Sequence, residues 1–234
     1  MRRALASDSG IPGTPGMNDQ TLAAMPLEKL RPYAAEHPRS YRAQMALGRA
    51  LATAGRPGDI DEAMQAFERA AGLIPSAHGK ESPHAEMAAL ALKKQDRARA
   101  IAELQALVAV DFDDIDAARQ LAALMQEAGV VDPAKVAPVY QRIVALDPFE
   151  ADAHRMLGRM AMQINQPDTA AREFRAVLAL RPVDQAAAHT DLAESYLKSG
   201  KRAEAKKQTL AALEIAPTYE RAQELLLKLT GGQR

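Results

Sequence analysis

The chain has 234 residues, 30 basic and 30 acidic, so its formal charge is zero and no global field recommends a nucleic acid or a membrane surface as partner. Cys is absent, which excludes a disulfide framework, a thiolate zinc site and a cysteine nucleophile together. With 47% hydrophobic but only 4% aromatic residues and no Trp, the core must be built from Ala, Leu, Val, Ile and Met at close range, which favours helices over sheets.

Residues 1–19 carry the run Asp8-Ser9-Gly10-Ile11-Pro12-Gly13-Thr14-Pro15-Gly16, where Gly and Pro raise the cost of ordering and little apolar surface offsets it, so a disordered lead-in is expected. Met1-Arg2-Arg3 is a basic start, but Ala4 to Asp8 is too short for the apolar stretch of a secretory signal. As written the chain is expected in the cytoplasm, or in the periplasm if a signal or anchor has been removed. No run approaches the ~20 apolar residues that a membrane span needs.

Residues 20–38 hold Leu22, Met25, Leu27, Leu30 and Tyr33, then Pro38. They predict an N-terminal cap helix, the second helix of a repeat whose first helix is missing, with Pro26 and Pro32 blurring its ends. From 39 to 217 apolar residues recur three and four apart, with breaks at Gly and Pro. Leu157-Gly158, Ala161, Ala170, Phe174, Val177 and Pro182 align with Leu192-Ala193, Tyr196, Ala205, Thr209, Ala212 and Pro217 at a shift of 35. An earlier copy reads Leu47-Gly48, Leu51, Ala63, Phe67, Ala70, Pro75, and two weaker copies begin near Met87-Ala88 and Leu121-Ala122. Asp132-Pro133 and Gln166-Pro167 place Pro at a first helical position, and Gly129 and Gly200 are suited to stop a helix. Pro138 falls inside a predicted helix and implies a kink or a late start. Residues 218–234 predict a terminal helix and tail: Tyr219, Ala222, Leu225, Leu226 and Leu229 cover the last repeat, while Glu220, Arg221, Glu224 and Lys228 face water.

These copies resemble the tetratricopeptide repeat, a helix-turn-helix unit of 34 residues, over about residues 40 to 217. Small residues stand at the family's eighth, twentieth and twenty-seventh places: Gly48, Ala63 and Ala70; Gly158 and Ala170; Ala193, Ala205 and Ala212. They let facing helices approach, and Phe67, Phe174 and Tyr140 fill what remains. The aromatic usual at the fourth place is replaced by Gln44, His84, Ala118, His154 and His189. The resemblance implies an all-α, right-handed solenoid of five helix pairs with a helix capping each end.

It also implies where a ligand would lie, because in this family the first helix of each repeat lines a concave groove. The inward places of that helix put Arg49, Arg119, Arg155 and Arg159 on one face, with Met162 and Leu197 among them. Arginine forks hold carboxylates, so an acidic peptide or a chain terminus fits. Arg155 and Arg159 match the basic pair of carboxylate-clamp members, but Ala85, Ala89 and Gln120 stand where the rest of that clamp needs Lys or Asn, so a complete chaperone clamp is not expected. The competing bland reading pairs these arginines with Asp116, Asp152 and Glu194.

No H-E-x-x-H, phosphate loop, G-x-S-x-G or dinucleotide fingerprint is present. His78, Glu81 and His84 are spaced too widely for a zinc pair, and His84, His154 and His189 read as flat substitutes for the missing aromatics. The expected function is therefore a noncatalytic scaffold, without cofactor or metal, for a protein or peptide partner. Two alternatives are an accessory helical module of a larger bacterial enzyme such as a metallopeptidase, and an envelope or cytochrome assembly factor that holds client tails.

Overall fold

Apolar spacing of three and four becomes helix throughout the computed structural model, which describes residues 17–231, so most of the expected lead-in lies outside the described residues. Thirteen helices and no strands occur among them. They are α1 (Asp19–Ala23), α2 (Leu27–Glu36), α3 (Tyr41–Ala54), α4 (Asp59–Leu73), α5 (Pro83–Lys93), α6 (Arg97–Val110) and α7 (Ile115–Glu127). There follow α8 (Pro133–Leu146), α9 (Ala151–Gln163), α10 (Pro167–Ala179), α11 (Gln185–Lys198), α12 (Arg202–Ile215) and α13 (Glu220–Thr230).

Local chemistry sets the ends. Ser40, Ser82, Asp96 and Asp184 each accept a hydrogen bond from the backbone N–H three residues on, which satisfies one of the donors that a helix start leaves open. Gly200 and Gly129 follow their helices at φ of 76° and 67°, as the sequence predicts. Gln95 and Asn165 take the same left-handed conformation at φ of 59° and 58°, at a cost of about 1 kcal/mol each. Pro138 does not delay its helix: α8 starts at Pro133 and continues to Leu146, and the loss is one backbone hydrogen bond within it.

The chain forms two compact units, the first ending at Leu124 and the second beginning at Met125, within α7. In the first, each helix from α2 to α6 packs against the next. The short helix α1 lies on α3, so the first helix that the sequence reading takes as missing is present as little more than one turn. In the second, each helix from α8 to α13 packs against the next. This is the helical-repeat α-solenoid architecture that the sequence predicts.

Glycine against phenylalanine fixes the closest approaches. A Cβ added to Gly48 would lie 2.5 Å from Cε1 of Phe67, and one on Gly158 would lie 2.5 Å from Cε1 of Phe174. No van der Waals contact is that short, so only glycine lets the paired helices of these repeats close to this distance. Among the described residues no helix is long and apolar enough to cross a membrane.

Candidate functional site

The first helices of the repeats carry the candidate arginines, and each unit arranges its own. In the first unit Arg49 on α3 is committed to its neighbours. Its Nε donates to Glu86 Oε1 at 2.7 Å, and its guanidinium reaches the Glu81 carbonyl at 2.9 Å. It borders a cleft of about 650 Å³ whose apolar lining includes Leu22, Met45, Ala46 and Ala50, with Arg42 and Asp19 3.4 Å apart at the rim. Arg119 on α7 is exposed. It acts on Asp116, whose carboxyl is held below its ordinary pKa by a hydrogen bond from Lys80 and, more weakly, by the charge of Arg119.

In the second unit Arg155 pairs with Asp152 one turn earlier on α9. Arg159 is exposed and makes no ion pair with any described residue. It lines a cavity of about 330 Å³ with Met162, Phe174, Asp191, Glu194 and Arg221. A second cavity of about 340 Å³ shares Met162, Glu194 and Arg221 and adds Leu197, Lys198 and Leu225. Of the six expected site residues, Arg159, Met162 and Leu197 are thus joined through adjoining cavities, and Arg155 stands one turn away on the same helix as a paired charge.

The bland reading of the arginines holds for Arg155 with Asp152. Glu194 is instead bonded from α13, by Arg221 at 3.0 Å, and Arg221 reaches Asp191 at 2.8 Å. Arg221, expected on the water-facing side of the last helix, therefore reaches across to α11 and lines the cavity beside it. Burial opposes its charge, yet the hydrogen bond it donates to Asp191 and the charges of Glu194 and Asp191 outweigh that and raise its pKa above the ordinary guanidinium value. Its sequence context gave no signal for this, because α13 shows only an amphipathic alternation in which any exposed charge looks alike.

The fourth-place histidines do more than replace aromatics. His84 Nδ1 is 2.7 Å from Glu103, His154 Nδ1 is 2.8 Å from Glu173, and His189 Nδ1 is 2.7 Å from Gln208. Each partner lies 19 residues on, so each bond ties the two helices of one repeat. The constant spacing is itself a signal in the sequence that could have found them. His84 is committed in this way, and no group of three or more His, Asp or Glu among the described residues is placed to hold a metal ion.

Burial alone would raise the pKa of Glu103, whose side chain is 8% exposed, but bonds from His84 and Arg99 and their charges hold it below the usual carboxylate value. A carboxyl depressed in the folded state adds stability above its unfolded pKa and loses it as pH falls through the folded value. Thermal unfolding followed by circular dichroism should therefore show Glu103→Gln less stable than wild type at pH 7, by about 1.5 kcal/mol for a charged hydrogen-bond network. The difference should shrink toward pH 3, and a gap that stays constant would refute this.

A tetratricopeptide repeat model matches residues 27–78, 132–184 and 156–220. No curated protein compared with the chain matches it. Among solved structures, that of YrrB, described as a TPR protein with an unusual peptide-binding site, superposes with a TM-score of 0.50 at 18% identity, over 85% of this chain and 98% of that one. That of MamA gives 0.47 at 22% identity, over 74% of this chain and 90% of that one. A thermophilic TPR protein of Thermus thermophilus, TTC0263, gives 0.42 at 24% identity, over 81% and 98%. At these identities the likeness concerns the fold.

Proposed function

The chain belongs to the tetratricopeptide repeat family, and we propose that it is a noncatalytic interaction scaffold that takes an acidic peptide segment or partner helix on the first helices of its second unit. That it serves protein interaction is what the repeat architecture supports, since stacked repeats bury their own apolar faces and leave an extended lining for a partner.

Arg159 is an exposed guanidinium without an ion-pair partner beside the apolar side chains of Met162 and Leu197. A partner carboxylate there would form charge-assisted hydrogen bonds worth about 1.5 to 3 kcal/mol, and an apolar side chain next to it would cover Met162 and Leu197. Arg155 supports the same pole, with Asp152 sharing its charge. Arg49 is bound to Glu86 and Glu81, so it contributes positioning of the first unit's helices before it contributes to a ligand, and Arg119, which also belongs to the first unit, is given no part in the second unit's site.

The experiment is capture of proteins from a lysate by the wild-type chain and by Arg155→Glu/Arg159→Glu. Loss of about 2 kcal/mol corresponds to roughly thirtyfold weaker retention. Equal capture by both would reject the site.

A further inference from the structure

Two repeats place arginine at the ninth position of their first helix, Arg49 and Arg159. In the first unit Arg49 bonds the residue at the sixth position of the following repeat, Glu86, at 2.7 Å. The sixth-position residue after Arg159 is Asp191, and both border one cavity. By the same register Arg159 should bond Asp191. It does not; Arg221 from α13 holds that carboxylate at 2.8 Å.

The competition is unequal for a physical reason. The Asp191 side chain is 7% exposed, and a carboxylate so enclosed needs a cation. Arg221 offers more than one bond: it also reaches Glu194 at 3.0 Å and the Tyr219 hydroxyl at 3.3 Å. Arg159 has only Asp191 to gain by the register seen at Arg49. Two acids, Asp191 and Glu194, and two guanidiniums share the cavity, and Arg221, from the helix that closes the repeat array, bonds both acids.

We infer that Arg221 is a positioning residue: by holding Asp191 it keeps Arg159 available to a ligand, so the docking of α13 governs whether the second unit presents a usable cation. This rests on the reading of Arg159 given above. When α13 is drawn away, Asp191 passes to Arg159 and the ligand carboxylate loses its partner. A protein that engages α13 at its outer end would thereby weaken binding at Arg159 without touching it.

The test reads Arg159 directly. The full chain is treated with phenylglyoxal, which modifies accessible guanidiniums, and the rate at Arg159 is followed by mass spectrometry of the peptide that contains it. In Arg221→Gln, Asp191 should turn to Arg159 and slow its modification about threefold to fivefold, the protection an ion pair of this exposure gives. Arg221→Gln/Asp191→Asn should return the rate to that of wild type, and Arg221→Lys should keep it there. Undocking of α13 would slow Arg159 by the same route, so circular dichroism of Arg221→Gln should match wild type, which assigns the slowing to the lost guanidinium. An unchanged or faster rate in Arg221→Gln overturns the inference, as does slowing that persists once Asp191 is removed. The capture experiment fails or succeeds independently, because phenylglyoxal needs no ligand.

Discussion

Phe67→Ala is expected to lower the stability of the first unit by about 3 to 5 kcal/mol, the largest effect of any single substitution proposed for this chain. Phe67 has no exposed surface, and its ring lies against a residue without a side chain, Gly48, between the buried small residues Ala63 and Ala70. Small neighbours cannot swing into the space that the ring leaves, so the cavity term adds to the lost transfer energy instead of relaxing away. Urea unfolding followed by circular dichroism measures it. A loss under about 1 kcal/mol would show that the helices collapse onto one another, and that the glycine notch does not set their spacing.

Gly158→Ala is expected to lower the stability of the second unit by about 2 kcal/mol, although two effects oppose each other. Alanine is the better helix former by about 1 kcal/mol. Its Cβ, however, would stand 2.5 Å from Cε1 of Phe174, which is 2% exposed, so the ring would have to shift. Overpacking of this kind costs about 1 to 3 kcal/mol even after side chains shift, and here it exceeds the helix gain. Gly72 in α4 provides the control, since a Cβ there meets nothing within 4 Å; Gly72→Ala should be stabilising by about 0.5 kcal/mol. Phe174→Leu should recover part of the loss when combined with Gly158→Ala, because the two residues are in contact and their effects should not add. Stabilisation by Gly158→Ala would contradict the close approach.

Much of this is legible in the amino-acid sequence. The repeat of Leu47-Gly48 with Phe67, and of Leu157-Gly158 with Phe174, specifies which residues meet, because a notch and a ring must face each other for either to be tolerated. Gly129 and Gly200 mark helix ends for a conformational reason that tertiary contacts cannot override. What stayed hidden depended on competition between atoms. Arg159 and Arg49 occupy equivalent places, yet Arg49 is paired with Glu86 and Arg159 is not, while the equivalent acid, Asp191, is held by Arg221 on a helix outside the aligned repeats. Helix α1 was hidden because five residues ahead of Pro26 are too few to display a period. The histidine partners were present in the sequence as a fixed 19-residue spacing, but reading His84, His154 and His189 only as flat side chains left Glu103, Glu173 and Gln208 out.

Recognition of a partner by the second unit is proposed to run through Arg155 and Arg159 of α9. Its most direct measurement is quantitative retention of lysate proteins by three immobilised chains: wild type, Arg155→Glu/Arg159→Glu, and Arg39→Glu/Arg56→Glu, a charge-matched change at exposed residues of the first unit. Retention should fall at least about tenfold in the α9 variant and stay near wild type in the control. Equal retention by all three, or an equal fall in both variants, would contradict recognition at Arg159.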